Sequence, residues 1–495
     1  MTTAVAAKYE IIIGVEVHAQ LTTRSKMFCR CSTDYASAPA NTHVCPVCLG
    51  MPGVLPVINQ QAVEYTIMTG LALNCTIPER SKFDRKNYPY PDLMKGYQIS
   101  QYDMPLSRNG WLEIEVNGER KRIGITRVHL EEDTARLVHR DDESGQAYSL
   151  VDVNRAGVPL MEIVSEPDIR SSEEARQYGV KLRQILRYIG VSTADMEEGS
   201  FRCEPNISLR PVGADKFGTK VELKNINSFR AVYRALEYEV QRQTEVLESG
   251  GRIAQETRGW REDLGQTVSQ RSKEYAHDYR YFPEPDLPVM TFSREYVESI
   301  RARLPELPEA KRDRFIEQYG LPPYEAGLLT ETRERADYFE ACLAPAKEEE
   351  KALLNQRARA VANWILGDFA RLLNATETDI AEARVRPEQL YDMIRLIEDG
   401  TITGTAAKAV FEEMFSTGKG PRQVVEERGL TQISAADEIT AVVEKVLAEN
   451  PKAVADYRRG KQEAVKFLLG QAMRETRGRA NAGVVQELLR ERLDR

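Results

Sequence analysis

The sequence lacks the features of membrane-spanning, secreted and organelle-targeted proteins. No apolar run approaches the roughly 18 residues of a membrane span, and the best stretch, residues 67–75, is interrupted by Thr69 and Asn74. The first ten residues have neither the basic flank and long apolar core of a signal peptide nor the arginines of a transit peptide. We therefore expect a soluble protein of the cytoplasm with no membrane partner.

Common catalytic and phosphate-binding signatures are also missing. There is no G-x-S-x-G nucleophile elbow, no G-x-x-x-x-G-K-[ST] phosphate loop and no H-E-x-x-H zinc motif. Histidine is scarce, with five in 495 residues. Any chemistry must therefore come from a less familiar set of residues.

The charge is low and uneven. A net charge of −8 argues against a protein that coats nucleic acid. Residues 451–495 nevertheless hold eleven basic and six acidic side chains. Two predicted helices there leave their ends and joining loop exposed, with the basic residues Arg458, Arg459, Lys461, Arg474, Arg477 and Arg479. The pattern indicates local contact with nucleic acid, or a solvated basic face.

Four of the seven cysteines form a cluster, and the other three are scattered. The cluster consists of Cys29, Cys31, Cys45 and Cys48. In a cytosolic chain, C-x-C and C-x-x-C pairs indicate a metal site more often than a disulfide frame, and four thiolates suit tetrahedral zinc. Because nothing supplies an open position with a general base nearby, we expect a structural zinc. The alternative is reduced thiols near a loop.

Periodicity predicts an α+β protein with three units. Up to about residue 290 strands dominate, with helices capped by Ser171 and Ser228. These indicate a large, mostly antiparallel sheet domain over residues 1–292, with the cysteine insert at 29–48. A Pro-rich stretch then leads into a helical domain over 293–400. A Gly-containing segment separates this domain from a small helical tail over 401–495.

Acidic residues and one histidine at strand positions suggest a cation site. Glu16, His18 and Gln20 share one face of a predicted strand, although a solvated polar face explains that strand alone better. Glu162 interrupts an apolar stretch, where a carboxylate needs a metal ion or an arginine to compensate it. Together with residues 131–133 and Glu204, such groups would suit magnesium carrying phosphates.

A block rich in aromatic and basic residues covers 81–101. Its proline turns, cations and rings could hold a nucleotide or an RNA end, but a packed surface loop is equally compatible with them.

Seven ordered motifs closely resemble the B subunits of the tRNA-dependent aspartyl/glutamyl-tRNA amidotransferases. They are GVEVH (14–18), SKFDRKNY (81–88), YQISQ (97–101), HLEED (129–133), EIVSEPD (162–168), KNINS (224–228) and DYRYFPEPD (278–286). The resemblance covers nearly the whole chain.

The resemblance implies a cradle-shaped catalytic domain, a helical domain and a tail that meets the tRNA. The cradle would use ATP and magnesium to phosphorylate the side-chain carboxylate of Glu-tRNA(Gln) or Asp-tRNA(Asn). Ammonia from glutamine, delivered by a partner amidase, would then displace phosphate, and a small third protein would clamp this heterotrimeric complex. The chain would thus be part of a ligase that forms a carbon–nitrogen bond.

The resemblance also implies roles for single residues. His18, Glu132 and Glu162 would bind magnesium, and Glu16 would serve a second cation or the ammonia. Lys86 would lie near the active site and neutralise phosphate charge. Glu204 would belong to the nucleotide and metal site, but the family motif has Asp at this position, so its contact would differ by one methylene.

Two rival hypotheses remain at this level. A non-catalytic tRNA-binding scaffold would bind no nucleotide in the cradle. A zinc hydrolase built on the cysteine cluster would work without magnesium. The acidic residues favour the amidotransferase over both.

Overall fold

A computed structural model describes residues 8–142, 144–272, 278–346, 350–432, 436–476 and 478–494. The chain divides into two compact units, the first ending at Leu307 and the second beginning at Pro308. The first unit combines a large sheet with a few helices, and the second is helical. The predicted α+β class with a mostly antiparallel sheet is confirmed.

The strands of the first unit follow one another in chain order. They are β1 (Tyr9–Gln20), β2 (Arg80–Ser81), β3 (Asp84–Asn87), β4 (Tyr97–Ser100), β5 (Ser107–Val116), β6 (Glu119–Glu132), β7 (Arg136–Asp141), β8 (Ala147–Asp152), β9 (Pro159–Ser165), β10 (Phe201–Pro211), β11 (Val221–Lys224), β12 (Glu256–Arg261), β13 (Gln266–Ser272), β14 (Phe282–Pro283) and β15 (Met290–Thr291). Eight form one sheet in the order β13-β12-β11-β10-β1-β9-β6-β5, and β14-β3-β4 form a smaller one. The pairings in the large sheet are antiparallel except for β11 with β12.

The helices of the first unit are α1 (Gln60–Ala72), α2 (Ser172–Tyr188), α3 (Phe229–Glu248) and α4 (Arg294–Arg301). Both predicted N-caps are confirmed, because the side chains of Ser171 and Ser228 accept hydrogen bonds from the backbone N–H groups three residues on. The apolar stripes of α2 and α3, such as Leu182 and Leu236, join one core with the inner face of the sheet. That face is thereby closed to solvent, and polar chemistry is left to the other face.

The α-helices of the second unit are α5 (Pro308–Tyr319), α6 (Pro323–Leu329), α7 (Arg333–Leu343), α8 (Lys351–Trp364), α9 (Ala370–Thr376), α10 (Pro387–Glu398), α11 (Gly404–Thr417), α12 (Pro421–Arg428), α13 (Ala436–Glu449), α14 (Pro451–Arg458), α15 (Ala464–Glu475) and α16 (Ala482–Asp494). A π-helical turn, Ile365–Phe369, joins α8 to α9, and Ala344–Ala346 and Ile380–Glu382 form short 3₁₀ turns. One apolar core runs from Phe315 to Val425 and a second from Ile439 to Leu493. The two predicted tail helices are confirmed as α15 and α16. In the parts of the chain that the structure describes, no helix combines the length and the apolar character needed to cross a bilayer.

Candidate active site on the polar face of the sheet

Strand β1 lies at the centre of the sheet and separates its two faces. Val15, Val17 and Ala19 are at most 1% exposed and belong to the core. Because side chains alternate along a strand, Glu16 and His18 point to the opposite face. The neighbours of β1 are β9 and β10, which each run antiparallel to it. Functional groups from several strands can therefore meet next to β1.

Cross-strand register brings two histidines to one carboxylate. Glu162 on β9 lies opposite His18 on β1 and opposite His129 on β6. The Oε2 atom of Glu162 is 3.4 Å from Nε2 of His18 and 3.3 Å from Nε2 of His129. His18, Glu162 and His129 thus form a row across three adjacent strands.

Glu131 completes a group that could hold a metal ion. Its Oε1 lies 3.6 Å from Nε2 of His18, and its Oε2 accepts a hydrogen bond from Ser100. His18, Glu131 and Glu162 each offer one ligand atom, and these atoms lie within 4.8 Å of one another. We call these three residues the His18 cluster.

The neighbouring residue Glu132 is not brought into the His18 cluster. Its side chain alternates to the other face of β6, where Oε1 accepts hydrogen bonds from Nζ of Lys95 at 2.5 Å and from the backbone N–H of Ile99 at 3.0 Å. Of the ligands predicted for magnesium, His18 and Glu162 therefore lie together, and Glu131 takes the place expected for Glu132.

Electrostatics couple the members of the His18 cluster. Burial lowers the pKa of His18, but its hydrogen bond to Glu162 and the negative charges of Glu162 and Glu131 outweigh burial and raise that pKa to about 9. Burial works to raise the pKa of Glu162, but His129 and His18 hold it well below its usual range. Without a bound cation, His18 is therefore protonated at neutral pH, and its positive charge interacts with the carboxylates of Glu162 and Glu131.

A second acidic group lies beside the first. Glu16, Glu204 and Glu222 each offer a carboxylate oxygen within 4.8 Å of the others. Nζ of Lys224 lies 3.0 Å from Glu204 and 3.4 Å from Glu222. Burial, followed by the charge of Glu162, raises the pKa of Glu16, whose Oε1 accepts a hydrogen bond from Asn206. The predicted residues Glu16 and Glu204 thus lie together, next to the His18 cluster.

Lys86 lies on the small sheet, in an aromatic environment. Its ammonium is 5.1 Å from the ring centre of Tyr279 and 5.7 Å from that of Tyr88. Burial lowers its pKa, but the negative charge of Glu131, and more weakly that of Glu162, outweighs burial and raises it. Lys86 is therefore a partly desolvated cation that interacts electrostatically with the carboxylates of the His18 cluster.

An ion pair fixes the aromatic segment beside Lys86. Nε of Arg85 donates to Glu284 at 2.7 Å, and Nη2 donates to the other carboxylate oxygen at 2.9 Å. Tyr281, a few residues before Glu284, stacks on Tyr102 with ring centres 4.4 Å apart. This bidentate pair joins β3 to the segment that carries Tyr279 and Tyr281.

The four clustered cysteines meet as predicted for a metal site. One Sγ atom from each of Cys29, Cys31, Cys45 and Cys48 lies within 4.8 Å of the others. The backbone N–H of Cys45 donates to Sγ of Cys48. A hydrogen bond from Cys29 is the main reason that the pKa of Cys48 falls to about 4, whereas burial raises that of Cys31 to about 11. Four cysteine sulfurs this close together are a donor set that fits tetrahedral zinc.

Sequence reasoning missed several residues of these groups. They are His129, Glu222, Lys224 and Asn206, which lie in or beside the acidic groups, whereas Glu131 was included only within the predicted stretch 131–133. Their alternation along predicted strands was a usable signal for which face they share. It gave no information on which strands would become neighbours or on their register, and both determine which side chains are in contact.

Comparison with known proteins gives matches over almost the whole chain. The family model described as the GatB/GatE catalytic domain matches residues 11–298, and the one described as the GatB domain matches residues 347–493. The chain is 58% identical to a protein of Dehalococcoides mccartyi (strain CBDB1) over 489 residues, and to proteins of Carboxydothermus hydrogenoformans and Thermomicrobium roseum over 486 residues each. Each alignment covers 98% of this chain and 99% of the relative. All three relatives are named as B subunits of aspartyl/glutamyl-tRNA(Asn/Gln) amidotransferase.

Proposed function

Since the chain belongs to the GatB family of tRNA-dependent amidotransferase B subunits, we propose that its sheet carries out the two synthetic steps of that enzyme. In the first step, ATP phosphorylates the side-chain carboxylate of a glutamate or aspartate attached to tRNA(Gln) or tRNA(Asn). In the second step, ammonia converts the acyl phosphate to the amide. The observation that carries this proposal is the grouping of His18, Glu131 and Glu162 on the polar face.

The His18 cluster offers magnesium two carboxylates and one imidazole. Magnesium prefers oxygen ligands, and the two carboxylates are buried, where they need a compensating cation. Magnesium bound by His18, Glu131 and Glu162 would screen the negative charge of the ATP phosphates. The resemblance implied Glu132 in this set, and on the geometry we propose Glu131 instead.

In the phosphorylation step, an oxygen of the substrate carboxylate attacks the γ-phosphorus of ATP. The bond from this phosphorus to the β-phosphate oxygen breaks, giving an acyl phosphate and ADP. Such transfers depend mainly on positioning and on charge stabilisation. Lys86 would stabilise the transferring phosphoryl group, and its neighbours Tyr88, Tyr279 and Tyr281 offer rings on which an adenine or a terminal tRNA base could stack.

In the amidation step, ammonia attacks the carbonyl carbon of the acyl phosphate, phosphate leaves, and the nitrogen loses a proton. Glu16 is suited to accept this proton because burial raises its pKa, and Asn206 holds its carboxylate. Glu204 and Glu222 lie beside Glu16 and already hold the ammonium of Lys224. This second acidic group would therefore attract a further cation or the incoming ammonia as ammonium.

The cysteine cluster would hold a structural zinc. Its ligands are the four cysteines, which leave no coordination position for a substrate. Zinc bound there would supply no chemistry and would fix the loops of residues 29–48 onto the sheet domain.

We further propose that the chain works in the cytoplasm, where aminoacyl-tRNA is used, together with the amidase and the small third protein of the amidotransferase complex. The tail would contact the tRNA. Its exposed or half-buried basic residues Arg458, Arg459, Lys461, Arg474 and Arg479 are suited to phosphate contacts. Arg477, predicted with them, lies outside the described residues.

One assay tests the chemical proposal. The reconstituted complex is incubated with mischarged tRNA, glutamine and labelled ATP, and ADP and amidated aminoacyl-tRNA are measured. His18→Ala or Glu162→Ala should abolish both products while glutaminase activity of the partner persists. Glu10→Gln is the matched control, because Glu10 also lies on β1 but pairs with Arg170 and Arg210. Unchanged amidation in the His18 or Glu162 variant would overturn the proposal.

A further inference from the structure

His129 is a buried histidine beside the His18 cluster, and no step described above uses it. Its side chain is 3% exposed, and its Nε2 lies 3.3 Å from Oε2 of Glu162. His129 and Glu162 are directly opposite each other in the β6–β9 register. The register is irregular between Ile125 and Arg127 but regular from Arg127 onward, so the side chain of His129 faces Glu162 directly.

The hydrogen bond on the other side of the ring determines where its proton lies. Nε of Arg127, two residues earlier on the same face of β6, donates to Nδ1 of His129 at 3.4 Å. Because Nδ1 accepts this bond, Nε2 is the ring nitrogen that can donate to Oε2 of Glu162. Nη2 of Arg127 also lies 3.6 Å from Oε1 of Glu162. The carboxylate is therefore held at both oxygens.

We propose that His129 is a positioning residue that orients Glu162 for cation binding, with Arg127 holding the imidazole in the required tautomer. This inference rests on the proposed function, because it presupposes that Glu162 is a cation ligand. A glutamate side chain has several rotamers, and the ones pointing away from His18 and Glu131 would leave the cation with one carboxylate fewer. Hydrogen-bond donors that hold Glu162 in the rotamer facing His18 and Glu131 keep its carboxylate available to the cation. Hydrogen-bonding partners of metal ligands typically account for about 10–100-fold in metal affinity.

The test measures cation binding directly, without ATP or tRNA. Mn²⁺, which reports on magnesium sites, is titrated into the full-length chain and the free ion is followed by electron paramagnetic resonance. His129→Phe should weaken binding by about 10–100-fold, the range expected for loss of such a partner. His129→Gln, whose amide N–H can replace Nε2–H, should recover most of the affinity. His139→Phe is the matched control, because His139 is exposed on β7 and contacts Ser149.

A folding defect is separated from the proposed effect by Arg127→Met. Arg127 is 31% exposed, so its loss leaves the core intact, but it frees the imidazole of His129 and removes the ion pair with Oε1 of Glu162. We expect a loss of Mn²⁺ affinity smaller than in His129→Phe, with an unchanged circular dichroism spectrum. Full affinity in both the His129→Phe and Arg127→Met chains, with His18→Ala impaired, would overturn the positioning role alone. Full affinity in His18→Ala as well would overturn the proposed cation site and the positioning role together.

Discussion

Glu131 and Glu132 are adjacent in the chain but serve opposite faces of β6. Glu131 lies with His18 and Glu162, whereas Glu132 pairs with Lys95 and accepts a hydrogen bond from the backbone N–H of Ile99. A difference of one position in the chain thus separates a residue of the proposed cation site from a residue of the surrounding structure.

A pair of amide variants should separate these two roles. Glu131→Gln should lower ATP-dependent amidation by at least about 100-fold, since loss of a cation ligand costs a few kcal/mol and each 1.4 kcal/mol is about tenfold in rate. Glu132→Gln should leave the rate within about a factor of five, and lower the free energy of unfolding by about 1–3 kcal/mol because Lys95 loses its charged partner. Rates from single-turnover amidation and unfolding in urea measure both. The reverse order of the two rates would restore Glu132 as the ligand.

The pKa of His18 gives a second prediction at this scale. In the metal-free protein it should titrate near 9, because the charges of Glu162 and Glu131 outweigh burial. The folded value is above the ordinary 6.5. The interaction therefore stabilises the fold fully below about pH 6.5, and its contribution is lost as pH rises through about 9. Proton NMR of the histidine rings against pH measures the value, and Glu162→Gln should lower it. A metal-free value near 6.5 would contradict the coupling.

At the level of residues, the sequence supported part of the site. The polar alternation of Glu16 and His18 and the unusual position of Glu162 in an apolar stretch were visible without a structure. The choice between Glu131 and Glu132 was not, because either carboxylate could have faced Glu162 until the register of β6 against β9 was known. The same limit explains why His129 was missed.

Among the elements, the cysteine loops depend on one buried side chain. Lys26 is 1% exposed, and its backbone N–H donates to the carbonyl of Cys31. Its ammonium donates to the carbonyls of His43 at 2.8 Å and Val153 at 3.3 Å. Lys26 therefore links the segment of the first two cysteines to the segment that leads into the second two.

Replacing Lys26 by Met should weaken this link. The variant keeps the length of the side chain but leaves the buried carbonyls of His43 and Val153 without this donor, at a cost of about 1–3 kcal/mol in the free energy of unfolding. Denaturant unfolding measures the loss, and Lys216→Met is the control because Lys216 is exposed. Equal stability of the two variants would show that the ammonium of Lys26 contributes nothing to holding the loops.

Metal content is a separate prediction for the same element. The purified chain should contain one zinc, and its removal by a chelator should increase hydrogen exchange in residues 25–55. Cys48→Ser should lose the metal, whereas Cys203→Ala should keep it, since Cys203 is buried in the core of the sheet domain. A zinc-free protein with four freely titratable clustered thiols would contradict this prediction.

Elements were easier to predict than their pairing. The caps at Ser171 and Ser228 and the dominance of strands up to about residue 290 are local signals, so they were predicted from the sequence. The parallel pairing of β11 with β12 and the small sheet around Lys86 join segments that are distant in the chain, and no local signal specifies such partners.

For the whole molecule, the two apolar cores of the second unit determine where the tail can be removed. Helix α11 contributes Phe411 and Met414 to the core that also contains Phe315. A cut near residue 410 would therefore expose that core. Truncation after Gln432 keeps α11 and α12 and removes only the core from Ile439 to Leu493.

A chain truncated after Gln432 should lose affinity for tRNA but keep its chemistry. We expect a raised Michaelis constant for mischarged tRNA and nearly unchanged ATP binding in the sheet domain. If the tail neutralises phosphates, each lost contact should reduce the slope of log affinity against log salt by about one. Full-length affinity with an unchanged salt slope in the truncated enzyme would show that the tail does not bind tRNA.

The alternation along β1 also restricts how the gene can change. Deleting or inserting a single codon within residues 9–20 would turn part of the strand over, so that Val15 and Val17 would exchange faces with Glu16 and His18. Such a change would remove the reactive groups and the core support in one event, whereas a codon added to the β7–β8 turn would alter neither. We therefore expect insertions and deletions among related genes to fall in surface turns, and the number of residues in β1 to stay constant.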